Sequence, residues 1–357
     1  MKKWIQAMGS EPSNMRDLTY EEAVEAASQM AGGESTDAQC AAFLMALCMK
    51  GESAEELMAF IDVYRSHSLP YQDVPNSLTA SGPQEGRGRF PITLPVSLLL
   101  ASVGFNQVMQ GGAALPSKQG TVMRDILDGF GIAVNLSIKA WHTILAQLHI
   151  GYLSTEQICP PIGRLRQVRE QLGLRTVIDT LERVLNPVLS TNLIIGVGQK
   201  KTLESLIPIS IRAGFQQAYI VHGIDGSEDL PIYQNSTIRI VTPWGDESRL
   251  VEPQKFGFVS TTLPQIHKEE QIELVERIIM GDEGLEVKRE RDHVIFNAGL
   301  RLKWFDKVDS YEDGFQLAES LLRRREAQKL LQKWADQSQH LKRQEPPKND
   351  DSWAEIG

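Results

Sequence analysis

The stretch Ser81-Gly82-Pro83-Gln84-Glu85-Gly86-Arg87-Gly88-Arg89 follows a short apolar run, Leu78-Thr79-Ala80, and precedes a helix-like run from Val96 to Val103. A glycine-rich turn between strand and helix narrows the choice of fold, because backbone N–H groups and a helix N-terminus can converge there on an anion. Pro83 has no N–H and removes one donor, while Arg87 and Arg89 add side-chain donors. Taken alone, the stretch also fits a plain surface turn. A second loop of the same kind, from Gln110-Gly111-Gly112 through Ser117-Lys118-Gln119-Gly120, follows the strand-like piece Asn106 to Met109. Two such loops in succession describe the ligand crevice of an α/β sheet.

The chain before these loops reads as helical. Thr19…Glu22, Thr36…Gln39 and Ser53…Glu56 are capping boxes, each pairing an N-cap hydroxyl with a Glu or Gln three residues on. A polar loop with Pro70 and Pro75 closes this unit. From about Asn76 short apolar runs (Phe105 to Met109, Thr191 to Gly196, Gln217 to Val221, Thr237 to Thr242) alternate with helix-length segments. That alternation predicts a largely parallel α/β sheet. Pro161 to Leu185 reads as a helical piece. A final helix pair is expected over Pro264 to Met280 and Val294 to Trp334. The tail 337–357, rich in Lys, Asp, Glu, Pro and Ser, is expected to be disordered.

A chain of 357 residues, 41% of them hydrophobic, can bury a substantial core. No apolar run reaches the 18 or so residues of a membrane span, and Met1-Lys2-Lys3-Trp4 is followed by no signal-like segment, so no membrane partner is expected. Cys40, Cys48 and Cys159 show no paired spacing and suit a reducing cytoplasm. The net charge of −9 disfavours general nucleic-acid affinity. Arg164, Arg166 and Arg169 form one local basic run and Arg323, Arg324 and Arg325 another, and each reads as a solvated helix face. The seven histidines are dispersed without metal-ligand spacing.

Over roughly Leu18 to Leu331 the order of these pieces resembles the anthranilate phosphoribosyltransferase family, glycosyltransferase family 3. Asp17 to Ala23 and Gln39 to Glu52 look like its N-terminal helices. Leu172-Gly173-Leu174-Arg175-Thr176 with Asn186-Pro187 match its central signature, and Val221-His222-Gly223-Ile224-Asp225-Gly226-Ser227-Glu228-Asp229 is similar to its acidic metal loop. The resemblance implies a small all-helical domain plus a larger α/β domain with a mostly parallel central sheet. Its boundaries would be a 1–17 N-terminal extension, an 18–75 helical domain completed by about 155–187, and 76–154 with 188–336 as the phosphoribosyl-binding α/β domain. It also implies a homodimer through the helical domain.

Carried over position by position, the family's diphosphate loop GTGGD has lost most of its glycines, with Glu85 in the place of its Asp. Pro91, Thr93 and Leu94 stand for its Asn, Ser and Thr, and only Thr93 keeps a hydroxyl. Met109 replaces a Lys that would hold diphosphate, and Gln110 replaces a His. Glu228 and Asp229 keep the metal-binding pair with types exchanged and would ligate Mg²⁺, although on the residues alone they fit a solvated turn equally. Arg169 matches the arginine that anchors the anthranilate carboxylate. Arg183 stands where the family has Pro, and Cys159-Pro160-Pro161 replaces His-Pro-Ala, a variant that looks like a divergent paralogue group linked to nucleic-acid binding.

The expected site therefore comprises Ser81, Gly82, Glu85, Arg87, Arg89, Thr93, Gln110, Gly111, Ser117, Lys118 and Arg169, with Glu228 and Asp229 for Mg²⁺. The expected protein is a divergent member without efficient transfer that binds a phosphate-containing anion: a nucleotide, a phosphosugar or nucleic acid. The alternatives are an active transferase using phosphoribosyl pyrophosphate (PRPP) and Mg²⁺, and a dimeric interaction protein.

Overall fold

The computed structural model describes residues 1–9, 15–83, 86–117, 120–198 and 200–345, with backbone alone at 200–202. Helices α1 (Lys2–Gly9), α2 (Tyr20–Ala31), α3 (Asp37–Lys50) and α4 (Ala54–Ser66) come first. All three capping boxes form, with Thr19, Thr36 and Ser53 starting α2, α3 and α4. The segment expected as an N-terminal extension instead contributes α1, whose Trp4 and Met8 are buried in a helix packed on α3.

The α/β part runs β1 (Ser77–Ser81), α5 (Thr93–Ser102), β2 (Asn106–Gly111), α6 (Met123–Gly129), α7 (Ile138–Leu148) and β3 (Ile150–Ser154). Short helices α8 (Thr155–Ile158), α9 (Pro160–Arg164), α10 (Arg166–Leu172) and α11 (Val177–Val184) then return to the first helices, α9 onto α2, α10 onto α3, and α11 onto α3 and α4. The chain continues with β4 (Asn192–Gly196), α12 (Lys200–Arg212), β5 (Gln217–Val221), β6 (Ser236–Thr242), β7 (Gly245–Val251), α13 (Lys268–Ile279), α14 (Lys288–Trp304), α15 (Tyr311–Arg323) and α16 (Glu326–Gln344). The sheet order is β3-β2-β1-β4-β5-β6-β7; the first five strands are parallel, and the β6–β7 hairpin is antiparallel.

Side chains on the central strands alternate between two cores. Leu193 and Ile195 of β4, with Ala218 and Ile220 of β5, join the core shared with the helical domain. Ile194, Tyr219 and Val221 join the core under α5 and α13 to α16. The sheet is thus a layer between the helical domain and the C-terminal helices.

Three expectations change. The run Val294 to Trp334 is not one helix; the chain breaks after α14, where Asp306 takes positive φ, and again at Arg325. Helix α16 continues through the first part of the tail expected to be disordered, with Ser338 buried and donating to the Ala335 carbonyl; residues 346–357 lie outside the described residues. Strands β3 and β7 were not anticipated, because β3 follows α7 with no turn signal and β7 is polar and exposed along most of its length. Among the described residues, no helix is long and apolar enough to cross a membrane.

Helix α14 carries a buried polar stripe that fixes the loop after β5. His293, Asn297 and Arg301 recur every four residues and so share one face. Asn297 accepts from the Leu230 N–H at 2.8 Å and donates to its carbonyl at 2.9 Å. Arg301 donates to the Glu228 carbonyl at 3.0 Å. His293 accepts from the Ile232 N–H at 3.3 Å through Nε2, which leaves Nδ1–H to donate to the Arg289 carbonyl at 2.8 Å. Both bonds need the neutral ring, and burial pushes its pKa down to about 4. The unfolded chain therefore binds a proton between pH 6.5 and 4 that the folded chain does not, and stability falls as pH drops through that window. Chemical denaturation should show the parent losing roughly 2–3 kcal/mol more than His293→Gln on acidification from pH 7 to pH 4.5. Equal pH slopes would contradict this.

Candidate functional site

The two glycine loops are stitched together before either reaches the site. Arg87 and Thr121 form an antiparallel bridge, with N–H···O distances of 2.8 and 3.0 Å in the two directions. Gly86, at φ 78°, crosses Gly120 so closely that a Cβ on either would overlap the other's backbone. This crossing aims the Arg87 side chain inward, beneath the N-terminus of α5 and toward the loop after β5.

There Arg87 is 4% exposed, and Glu228 and Asp229 are 0% and 1% exposed. Arg87 bonds Asp229 Oδ2 at 2.8 Å and Glu228 Oε1 at 3.0 Å. Arg301 bonds Asp229 Oδ1 at 3.1 Å. Thr93, in the first turn of α5, accepts from Arg87 and faces both carboxylates, with a very short contact to Glu228 and 3.0 Å to Asp229 Oδ2. Two guanidinium groups thus face two carboxylates in a volume without bulk water. Burial pushes both acids up. The arginines outweigh it for Glu228, whose pKa is lowered; for Asp229 burial, reinforced by the charge of Glu228, leaves the pKa raised.

The solvated-turn reading of Glu228-Asp229 is therefore corrected. Mg²⁺ does not fit this arrangement either. It demands near-ideal octahedral oxygen geometry, and three of the four carboxylate oxygens already bond Arg87, Arg301 or Thr93, leaving only Glu228 Oε2 without a partner. Among the described residues no group of three or more His, Cys, Asp or Glu is placed to hold a metal.

A second buried ion cluster lies across the crevice. Arg169 is 1% exposed and bonds Glu182 at 2.8 Å and Asp179 at 3.1 Å. Asp179 also closes a capping box with Thr176 at the start of α11. Thr155 donates to Glu182 at 3.3 Å, and a Cβ on Gly112 would overlap the Glu182 carboxylate. Arg169 is therefore no solvated helix face, because the carboxylates that pair with it arrive later in the chain. Arg164, partly buried, donates to the Ala31 carbonyl, and Arg166 pairs with Glu156 at 3.0 Å and Glu170 at 2.8 Å. Arg323 is exposed, as expected.

The remaining expected residues divide. Arg89 does not join the carboxylate pair; it bonds Asp225 and, at 2.9 Å, the Leu263 carbonyl. Ser81 donates to the Arg183 carbonyl at 2.6 Å and Gln110 to the Glu182 carbonyl at 3.0 Å, so both pin the end of α11 to the sheet. Gly82 and Gly111 line the crevice. Ser117 is half-buried in a turn and is not among its lining residues. Glu85 and Lys118 lie outside the described residues. Asp179, Glu182 and Arg301 escaped the sequence reading; the acid spacing of three on one helix was the only available signal for the first two. The crevice between the two ion clusters has a volume of about 40 Å³.

Fold and site together define a two-part transferase architecture, a helical bundle joined to an α/β domain whose glycine loops meet an acidic loop. The chain belongs to the glycosyl transferase family: residues 4–68 match its helical bundle domain and residues 84–328 its a/b domain. Its relatives include anthranilate phosphoribosyltransferases from Herpetosiphon aurantiacus, 27% identical over 91% of this chain and 96% of that protein, and from Geobacter sulfurreducens, 27% identical over 85% and 90%. Among solved structures the fold matches anthranilate phosphoribosyltransferase from Thermus thermophilus, with TM-score 0.78 at 24% identity over 95% of this chain and all of the other. It also matches the Saccharomyces cerevisiae enzyme in complex with PRPP and Mg, with TM-score 0.81 at 15% identity over 95% and 98%.

Removing Arg87 tests the cation argument. Glu228 and Asp229 would then share Arg301 alone, and breaking a buried pair typically costs about 3–5 kcal/mol. Arg87→Ala should melt below the parent and regain stability with millimolar Mg²⁺ or Mn²⁺, to which the parent is indifferent. A melting curve like the parent's, without a cation response, would contradict the assignment.

Proposed function

We propose that this chain is an anthranilate phosphoribosyltransferase-like protein that does not carry out efficient anthranilate phosphoribosyl transfer and holds a phosphate-containing anion in its crevice. The observation that carries this reading is that both charged subsites are filled from within. The carboxylates expected to face Mg²⁺ bond Arg87 and Arg301, and the arginine expected to hold the anthranilate carboxylate bonds Asp179 and Glu182. Vacating either subsite would strand buried charge. Met109 adds to this, since an apolar side chain cannot replace a lysine at a leaving diphosphate.

The active-transferase alternative would follow the relatives in using PRPP with Mg²⁺, and for this chain it would need Arg87 to leave its carboxylates. Loss of a single transition-state donor typically costs on the order of 10²–10³ in rate. Purified protein with anthranilate, PRPP and Mg²⁺ should show no phosphoribosyl anthranilate above the enzyme-free blank. Rescue of a tryptophan auxotroph at ordinary expression would overturn the reading.

The helical domain supports a homodimer as its assembly. Met49 on α3 is 75% exposed and Leu174, before α11, is 50% exposed, leaving apolar surface on this unit. Light scattering at micromolar concentration should give twice the 39.9 kDa chain mass. A monomer mass would contradict it.

A further inference from the structure

The two edges of the sheet are finished differently. β3, at one edge, is buried along its whole length, with α7 and α8 packed against it. β7, at the other, ends the strand order and exposes residues 245–250. The turn Pro243-Trp244 pairs Thr242 with Gly245, so Gly245, Glu247, Arg249 and Val251 turn their backbone groups toward β6. The N–H and C=O groups of Asp246, Ser248 and Leu250 therefore point outward, and among the described residues no further strand takes them up. A free row of this kind on a strand of seven residues is a template for another strand. β7 holds neither proline nor lysine, which commonly protect such an edge.

Its side chains restrict which strand can be added. Glu247 and Arg249 share the face that carries Ile240 and Ile238 on β6, and they pair at 2.5 Å along the strand. Ser248 lies on the opposite face, where Arg239 bonds it at 3.1 Å. Adding a second copy of β7 antiparallel, about a two-fold axis at Ser248, brings outward groups against outward groups. Ser248 then faces Ser248, and Asp246 faces Leu250. The closer positions between them set Glu247 opposite Arg249 of the second copy on both sides of the axis. Moving the axis by one residue would set Glu247 opposite Glu247, or Arg249 opposite Arg249. An axis between residues would set outward groups against inward ones. The charge order of β7 thus suits its own antiparallel copy in one register. The same register places Trp244, 89% exposed, diagonally opposite Leu250 of the second copy, which is 56% exposed. That separation is within reach of an aromatic side chain.

We propose that β7 is a self-association edge, at which two copies of this chain join antiparallel into one continuous sheet centred on Ser248. The interface is isologous and separate from the helical-domain homodimer. It is small beside a standard interface of about 1,600 Å², so the association is weak, with dissociation on the order of 100 µM, above the range in which the helical-domain dimer is measured.

Sedimentation equilibrium of the full chain between about 10 µM and about 1 mM, a range that brackets this dissociation, tests the proposal. The mass should rise with concentration, whatever its value at the dilute end, and the rise should be absent in Ser248→Pro. That proline removes an outward N–H and no bond to β6, so the fold is kept. Arg249→Glu changes an exposed side chain, sets Glu opposite Glu, and should weaken the association about tenfold. Combining it with Glu247→Arg restores the complementary order and should restore the parent's association. A parent mass that stays constant over the range would overturn the proposal. So would a rise that survives in folded Ser248→Pro or, where that variant does not fold, one that Arg249→Glu leaves unchanged. Failure of the combined exchange to regain association would overturn it as well, because the paired charges are what specify the register.

Discussion

The site is organised around the ion cluster of Arg87, Arg301, Glu228 and Asp229, with the Thr93 hydroxyl between them. Its charges balance, and all four charged side chains are at most 5% exposed. In a low-dielectric interior such a set holds only while every member stays in place, because the charge left behind by any loss is desolvated. The surroundings meet that demand. The Gly86–Gly120 crossing fixes the origin of Arg87, the first turn of α5 supplies Thr93, and the polar face of α14 holds the 228–232 loop through Asn297, His293 and Arg301. Elements far apart in sequence are thereby tied to one electrostatic object.

The second cluster does comparable work between the layers. Arg169 on α10 is bound to two carboxylates of α11, and the carbonyls at the end of α11 are bound in turn by Ser81 and Gln110 at the ends of β1 and β2. The helical domain is therefore fastened to the sheet at the edge where a ligand would enter. The proposed loss of transfer follows from this arrangement. The family's frame is present, and charges that could serve a substrate are satisfied by the chain itself.

Much of the fold was legible because its signals are local. The capping boxes of α2, α3 and α4 need only residues three apart, and β4 and β5 announce themselves as short apolar runs with strand-like content. Strand β7 was not legible, since Gly245 to Leu250 face solvent and become a strand only by pairing with β6. In the site, the meeting of Arg87, Thr93, Glu228 and Asp229 follows from topology, because loops at the carboxyl ends of neighbouring parallel strands converge. The partner of each arginine does not follow from topology. Arg89 reaches Asp225 instead of the carboxylate pair, and Arg169 looked solvated because nothing in its own helix reveals the acids of α11. Mg²⁺ was expected from the likeness of this loop to the family's acidic metal loop, and the guanidinium that bonds Glu228 there lies 141 residues from it in the chain.

The most direct measurement of the central claim is a double-mutant cycle on Arg87 and Asp229, read by chemical denaturation of the parent, Arg87→Met, Asp229→Asn and the double variant. If the two groups neutralise one another, each single change strands a buried charge and the double change strands less. The double variant should then be more stable than the sum of the single effects predicts, by about 1–3 kcal/mol. Additivity within about 0.5 kcal/mol would mean that the pair is not coupled, and the account of a self-neutralised crevice would fail.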